Sequence, residues 1–281
     1  MKTIRIIARL DVKGPNLVKG IHLEGLRVLG NPNVFAKYYY ENGADELLYS
    51  DVVASLFERN SLSEVISSTA KEIFIPITVA GGIRTLEDIK NILRAGADKV
   101  SLNTAVIKNP DLIEKASRMF GSSTIVVTIE AIKESEGKYL AYTDNGRERT
   151  GIEVVEWAKK VESLGAGEII ITSVDKEGTG EGFDIDLTKM VSEAVSIPVI
   201  AHGGAGTPQD VVDVVKKGKA DAVSLASILH YGILSKQNFV KNSDEGNIEF
   251  LKNKKTFGKI TPYDLSKLKD FLLEHNIQCR H

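Results

Sequence analysis

Ile75-Pro76-Ile77-Thr78-Val79-Ala80-Gly81-Gly82 returns 122 residues later as Ile197-Pro198-Val199-Ile200-Ala201-His202-Gly203-Gly204. Each copy is a short β-branched run closed by paired glycines and followed by helical periodicity. A second strand-like run then comes in both, Ala97-Asp98-Lys99-Val100-Ser101-Leu102-Asn103-Thr104 and Ala220-Asp221-Ala222-Val223-Ser224-Leu225-Ala226-Ser227. Upstream, Glu46–Asp51 and Glu168–Asp175 are apolar runs ending near an aspartate. The offset from Thr104 to Ser227 is 123 residues, and from Asp11 to Glu130 it is 119. A period this long means a duplicated half, not a solenoid of short repeats.

Further runs complete the pattern. Strands are expected near Arg5–Leu10, Glu46–Ser50, Ile75–Val79, Lys99–Leu102, Thr124–Ile129, Glu168–Thr172, Val199–Ala201 and Ala222–Leu225. Helical patterns over Thr85–Ala95, Pro110–Phe120, Glu153–Leu164 and Pro208–Lys217 lie between them, with Thr85 and Thr207 placed as N-caps. Eight strands alternating with helices make a parallel sheet, and eight is the number that closes it. The expected fold is α/β, a two-fold (β/α)₈ TIM barrel, with an open doubly wound sheet as the alternative. All 281 residues fit one barrel domain, with half-barrels about 1–122 and 123–235. A polar segment, 236–259, follows, and then a final helix over 261–276, with Thr261 as N-cap and Pro262 at its first position.

Composition narrows the function. The hydrophobic fraction is 42% and the charged fraction 26%, ordinary for a globular chain. A net charge of −2 offers no field to attract nucleic acid or an anionic membrane. Cys279 is the single cysteine, so no internal disulfide can form. The apolar run in residues 1–7 is too short for a signal peptide, and a cytoplasmic location is expected. Five histidines show no metal-ligand spacing, so neither metal nor cofactor is expected.

The paired glycines carry the first functional reading. A Gly-Gly between strand and helix lets backbone N–H groups approach an anion at the helix N-terminus. A hydroxyl closing the next strand, Thr104 or Ser227, adds a donor. A lone pair of glycines can simply make a tight turn, but two copies in register predict two phosphate sites on opposite sides of one mouth. The candidates are Gly81, Gly82, Asn103 and Thr104 for one, and Gly178, Gly203, Gly204, Ala226 and Ser227 for the other, with Lys19. A small substrate phosphorylated near each end would fit.

Between them, Asp11 and Glu130 end the first and fifth strands, where this fold places catalytic groups. Paired carboxylates suit general acid/base work; the bland reading pairs Asp11 with Lys13 or Lys19. Arg9, Asp51, Asp175, Glu177 and His202 are candidate substrate contacts, His202 equally well a packed side chain. The connection Lys13 to Pro32 is longer than a barrel needs and reads as a lid or binding loop. At the opposite face, Arg5, Glu46, Lys99 and Glu168 begin strands with alternating charge, which by itself reads as a stabilising ring.

Arg9-Leu10-Asp11-Val12-Lys13, Val18-Lys19-Gly20, Gly43-Ala44-Asp45, Gly81-Gly82-Ile83-Arg84, Gly96-Ala97-Asp98-Lys99 and Ala201-His202-Gly203-Gly204 together resemble the cyclase subunit family of imidazole glycerol phosphate synthase. The resemblance implies a glutaminase subunit docked on the strand N-terminal face and ammonia passing through the barrel. It also implies an ammonia gate formed by Arg5, Glu46, Lys99 and Glu168. Several positions depart from the family pattern. Glu130 stands where a second catalytic aspartate is usual, Arg9 where a small residue is, Glu177 where an aspartate is, and Ala80 where a third glycine is. The loop from Gly14 to Arg27 looks like a paralogous branch associated with sugar amidation in surface glycans.

The leading expectation is therefore an ammonia-accepting subunit of a glutamine-dependent amidotransferase system. It would bind a phosphorylated or nucleotide-sugar substrate and serve sugar amidation, with a further amidotransferase or synthetase as second partner. The alternative is the cyclase of histidine biosynthesis, a lyase acting on a bis-phosphorylated ribulosyl aminoimidazole carboxamide. A third is a non-enzymatic scaffold that regulates its glutaminase.

Overall fold

A computed structural model describes residues 3–54, 62–236 and 259–280. The first half runs β1 (Thr3–Lys13), β2 (Asn16–Ile21), β3 (Glu24–Gly30), α1 (Pro32–Glu41), β4 (Glu46–Asp51), α2 (Ser63–Thr69), β5 (Ile77–Ala80), α3 (Leu86–Arg94), β6 (Lys99–Leu102), α4 (Thr104–Lys108) and α5 (Asp111–Phe120). The second half answers it with β7 (Ile125–Ser135), β8 (Lys138–Thr143), β9 (Glu148–Glu153), α6 (Val154–Ser163), β10 (Glu168–Ser173), α7 (Ile185–Ala194), β11 (Val199–His202), α8 (Pro208–Lys216), β12 (Ala222–Leu225) and α9 (Ser227–Leu234). Then come α10 (Leu265–Glu274) and β13 (Gln278–Cys279), the latter pairing with β1.

Eight strands pair in parallel in the order β10, β11, β12, β1, β4, β5, β6, β7. The circle closes where β7 meets β10, with Ile129 opposite Ile171. An open sheet is excluded, and the fold is a (β/α)₈ barrel.

Alternation along each strand sorts the side chains. Ile6, Ala8, Leu47, Tyr49, Val127, Ile169, Ile171 and Val223 join the large core under the helices. Their neighbours Ile7, Leu48, Val126, Ile170, Ile200 and Ala222 form a separate cluster, on the inner face of the barrel. One step towards the strand starts, that inner face carries Arg5, Glu46, Lys99 and Glu168. One step towards the strand ends it carries Arg9, Ser50, Thr128, Thr172, His202 and Ser224. The interior is thus a layer one residue thick, apolar on six strands and completed by the hydroxyl residues Thr78 and Ser101 on β5 and β6, between a charged ring and a polar tier.

Two expectations need correction. The connection after Lys13 is not a loop but the hairpin β2–β3, which continues from β1 through Val12–Leu17 pairing. The second half makes the same excursion with β8–β9. The final helix does not start at Thr261. The Thr261 amide donates to Gly206 O and that of Tyr263 to Ile228 O, which holds this stretch extended. The helix begins after Asp264, whose side chain accepts from Ser266 N at 3.2 Å. The polar segment 236–259 falls almost wholly on residues 237–258, outside the described residues. No helix of the described residues is long and apolar enough to cross a membrane.

Candidate active site

The glycine pairs end β5 and β11 in matched conformations. Gly81 has φ +98° and Gly203 φ +94°. A Cβ at either would run into the carbonyl oxygen closing the preceding barrel strand, that of Asp51 or of Ser173. Only glycine meets both demands. The helices directly after them are already capped, contrary to the reading that they receive an anion. Asp88 Oδ2 accepts from Arg84 N and Thr85 N, both at 2.9 Å. Asp210 Oδ2 accepts from Gly206 N at 2.9 Å and Thr207 N at 2.7 Å. Two helix starts that lack a side-chain cap at this end of the barrel are those of α4 and α9. Their N-cap residues, Asn103 (φ −137°, ψ −92°) and Ala226 (φ −124°, ψ −84°), share one conformation and make no side-chain cap. Each leaves first-turn amides for an incoming acceptor.

Two cavities open at this end of the strands. The larger, about 370 Å³, is lined by Arg9, Asp51, Gly81, Gly82, Asn103, Thr104 and Glu130. The smaller, about 20 Å³, is lined by Lys19, Glu177, Gly178, His202, Gly203, Gly204, Ala226 and Ser227. Two predicted residues lie outside both linings. Asp175 is exposed, and its carboxylate accepts from Lys133 N at 2.8 Å. Asp11 is 2% exposed and lies beneath its cationic neighbours.

Those neighbours define the electrostatics. Arg9 Nε donates to Asp11 Oδ1 at 2.7 Å, and Lys19 Nζ to Asp11 Oδ2 at 3.4 Å. Burial alone would raise the Asp11 pKa, but Arg9 and Lys19 outweigh it and hold the carboxyl well below the usual range. Lys19 also pairs with Glu177, whose other oxygen accepts from Leu23 N at 2.9 Å. Burial pulls the ammonium pKa down, yet Glu177 and Asp11 keep it raised. Glu177, on the wall of the smaller cavity, therefore ties down the tip of β2–β3, whose Leu23 lines the larger one. Glu130 has the opposite surroundings. Burial pushes its pKa up to about 7, against the lowering effects of Gly146 N, Arg9 and Asn103. His202 is held near pKa 3 by burial and by Arg9. Its Nδ1 faces Ser224 O at 2.9 Å, so that nitrogen carries the proton and Nε2 is a buried acceptor.

Three contributors were not among the predicted residues. Arg84 and Lys108 add positive charge to the larger cavity. The β8–β9 turn covers the same cavity: Gly146 N donates to Glu130 Oε2 at 2.9 Å, and Asp144 N to Thr104 Oγ1 at 3.3 Å. The exact counterpart of β2–β3 in the repeat was the available signal for this turn.

At the strand N-terminal face the four charged residues form a closed ring. Arg5 pairs with Glu46 at 2.9 Å and Glu168 at 3.0 Å; Lys99 pairs with the same two at 3.0 and 3.2 Å. Asp98 beside it is spent on structure, accepting from Ile77 N at 2.8 Å. On this face the loop entering β5 also exposes Phe74 (79%), and the last turn of α5 exposes Met119 (61%).

A family model described as histidine biosynthesis protein matches residues 5–235. A Legionella pneumophila protein named imidazole glycerol phosphate synthase subunit HisF is 59% identical over 73% of this chain and 97% of its own. Proteins of the same name from Methanococcus vannielii (47% identical; 88% of this chain, 98% of theirs) and Methanocaldococcus jannaschii (48%; 82% and 92%) are also similar. These names overturn the expectation of a branch serving sugar amidation in surface-glycan biosynthesis, and favour its alternative. The motifs, the closed barrel and the matched span agree, and the chain belongs to the histidine biosynthesis protein family, in its HisF-like branch.

Proposed function

We propose that the chain is the cyclase subunit of an imidazole glycerol phosphate synthase, a cyclase/lyase that uses ammonia to cyclise and split a bis-phosphorylated ribulosyl aminoimidazole carboxamide. The observation that carries this reading is the pair of matched anion cradles flanking a buried carboxyl group. Gly81, Gly82, Asn103 and Thr104 hold one phosphoryl group, assisted by Arg84 and Lys108. Gly178, Gly203, Gly204, Ala226 and Ser227 hold the other through backbone and hydroxyl donors, with Lys19 on the wall beside them. Asp51, on the wall of the larger cavity, is the acceptor for a substrate hydroxyl. Fixing both ends of a flexible substrate removes rotational freedom before chemistry begins, a large share of what a positioned site can contribute. The decisive assay uses purified barrel, this substrate and saturating ammonium. Turnover without a partner is expected, with inorganic phosphate as competitive inhibitor; a folded barrel that gives none would remove the cyclase reading.

The same reading makes the Arg5–Glu46–Lys99–Glu168 ring the gate through which ammonia from a glutaminase subunit enters. Phe74 and Met119 offer that subunit apolar contacts around it. Lys99→Ala leaves Arg5 to balance Glu46 and Glu168, so the expected stability loss is about 1–3 kcal/mol. Glutamine-driven turnover of the complex should change severalfold while ammonium-driven turnover does not. Equal changes in both would mean that the ring only supports the barrel.

A further inference from the structure

Residues 259–263 form a strap ahead of α10, and their amides donate in alternation, as in an extended strand. Lys259 N donates to Thr179 O at 3.1 Å, Thr261 N to Gly206 O at 2.9 Å and Tyr263 N to Ile228 O at 3.0 Å. The residues between make none of these bonds. Ile260 is buried, and Pro262 has no N–H to leave unpaired.

The three acceptors belong to three different elements: the loop 178–182, the loop 203–206 and the first turn of α9. Each of these elements also supplies a wall of the smaller cavity, through Gly178, through Gly203 and Gly204, and through Ser227. Glycines let the chains cross this closely. A Cβ on Gly180 would run into Lys259 and Ile260, one on Gly206 into the Lys259 carbonyl, and one on Gly232 into that of Tyr263. The two loops are also bonded to each other, Gly182 N donating to Gly204 O at 2.9 Å. The first half has no room for such a strap, since only Asn109 and Pro110 separate α4 from α5.

We infer that the strap is a positioning device for the smaller anion cradle, with Ile260 and Gly232 as its positioning residues; this rests on the two cradles of the cyclase reading. Donors from three separate segments serve one oxyanion only when all converge on it, to within about 0.5 Å. Loops are the mobile parts of a fold and do not hold such a convergence unaided. Alternate amides of an extended backbone stand about 7 Å apart, so the strap fixes the spacing of the three segments. None of residues 259–263 lines the cavity, and the effect passes wholly through the segments they tie. The larger cradle, which lacks a strap, is the internal control.

The test is a titration of the full chain with inorganic phosphate, followed by ¹H–¹⁵N NMR. The Gly204 and Ser227 amides report the smaller cradle, and those of Gly82 and Thr104 the larger. Ile260→Ala, which loosens the strap from Gly180, should weaken phosphate at the smaller cradle by roughly tenfold or more, the scale on which a lost supporting contact weakens a bound ion. The larger cradle should be unchanged, and Ile260→Val should restore most of the loss. Gly232→Ala covers an Ile260→Ala variant that does not fold. Alanine is the better helix former, so a selective loss there comes from the displaced strap and not from a weakened α9. In ammonium-driven turnover, both variants should raise KM with little change in kcat. Equal weakening of both cradles, or of neither, overturns the proposal. Absence of any Ser227 response in the unsubstituted chain would remove the smaller cradle, and the strap's role with it. Phosphate binding as expected with no turnover in any variant would remove the cyclase reading and leave the strap's role supported.

Discussion

Lys19→Met is expected to lower the melting temperature by roughly 5–15 °C and to abolish most ammonium-driven turnover. Lys19 is 4% exposed and neutralises two buried carboxylates, Asp11 and Glu177. Removing it leaves Glu177 charged and without its cation, the situation in which breaking a buried pair costs about 3–5 kcal/mol. The same ammonium lines the smaller cavity, so under the cyclase reading it also holds a phosphoryl group. The double change Lys19→Met/Glu177→Gln separates the two roles. Calorimetry should show most of the lost stability recovered, while steady-state kinetics stay impaired. Full kinetic recovery in the double variant would reduce Lys19 to a structural cation.

Phe74→Ala is expected to weaken association with a glutaminase partner by roughly 30–1000-fold, the effect of removing a central aromatic contact worth about 2–4 kcal/mol. Phe74 is 79% exposed and touches Tyr40 edge-on, with ring centroids 6.3 Å apart. An aromatic ring left in water gives the free barrel little, so its own stability should move by no more than about 0.5 kcal/mol. Titration calorimetry with the partner measures the first quantity, and thermal unfolding of the barrel alone the second. Undiminished affinity would place the interface elsewhere.

The pattern of residues revealed the barrel more readily than its chemistry. Strands such as Glu168–Ser173 stood out because a strand buried on both faces is an unbroken apolar run between polar ends. The hairpin β2–β3 did not, since Leu17, Val18 and Lys19 are buried in succession and break the two-residue alternation. Gly14 and Gly25 at its turns completed the impression of a loop. Glycines and hydroxyls at the two cradles were legible because the repeat printed them twice. What the same residues do was not. That Asp11 lies under Arg9, and that Glu130 titrates near neutrality, depend on neighbours from β1, β6 and the β8–β9 turn, far apart in sequence. The loop between Gly14 and Arg27 suggested sugar amidation, yet its buried lysine is committed to Asp11 and Glu177 within the chain itself.

The apolar layer of Ile7, Leu48, Val126, Ile170, Ile200 and Ala222 has a consequence for whatever moves between the two mouths of the barrel. It is a septum one side chain thick, with formal charge on one side and hydroxyls, an imidazole and a guanidinium on the other. A neutral solute the size of water crosses such a septum by waiting for rotamers to swing, at little electrostatic cost. A cation of the same size must shed its hydration shell first, and in a low-dielectric slab that penalty is several kcal/mol even after relaxation. Under the cyclase reading, such a septum would sort by protonation state rather than by size, with the hydroxyls of Thr78 and Ser101 as its polar seam.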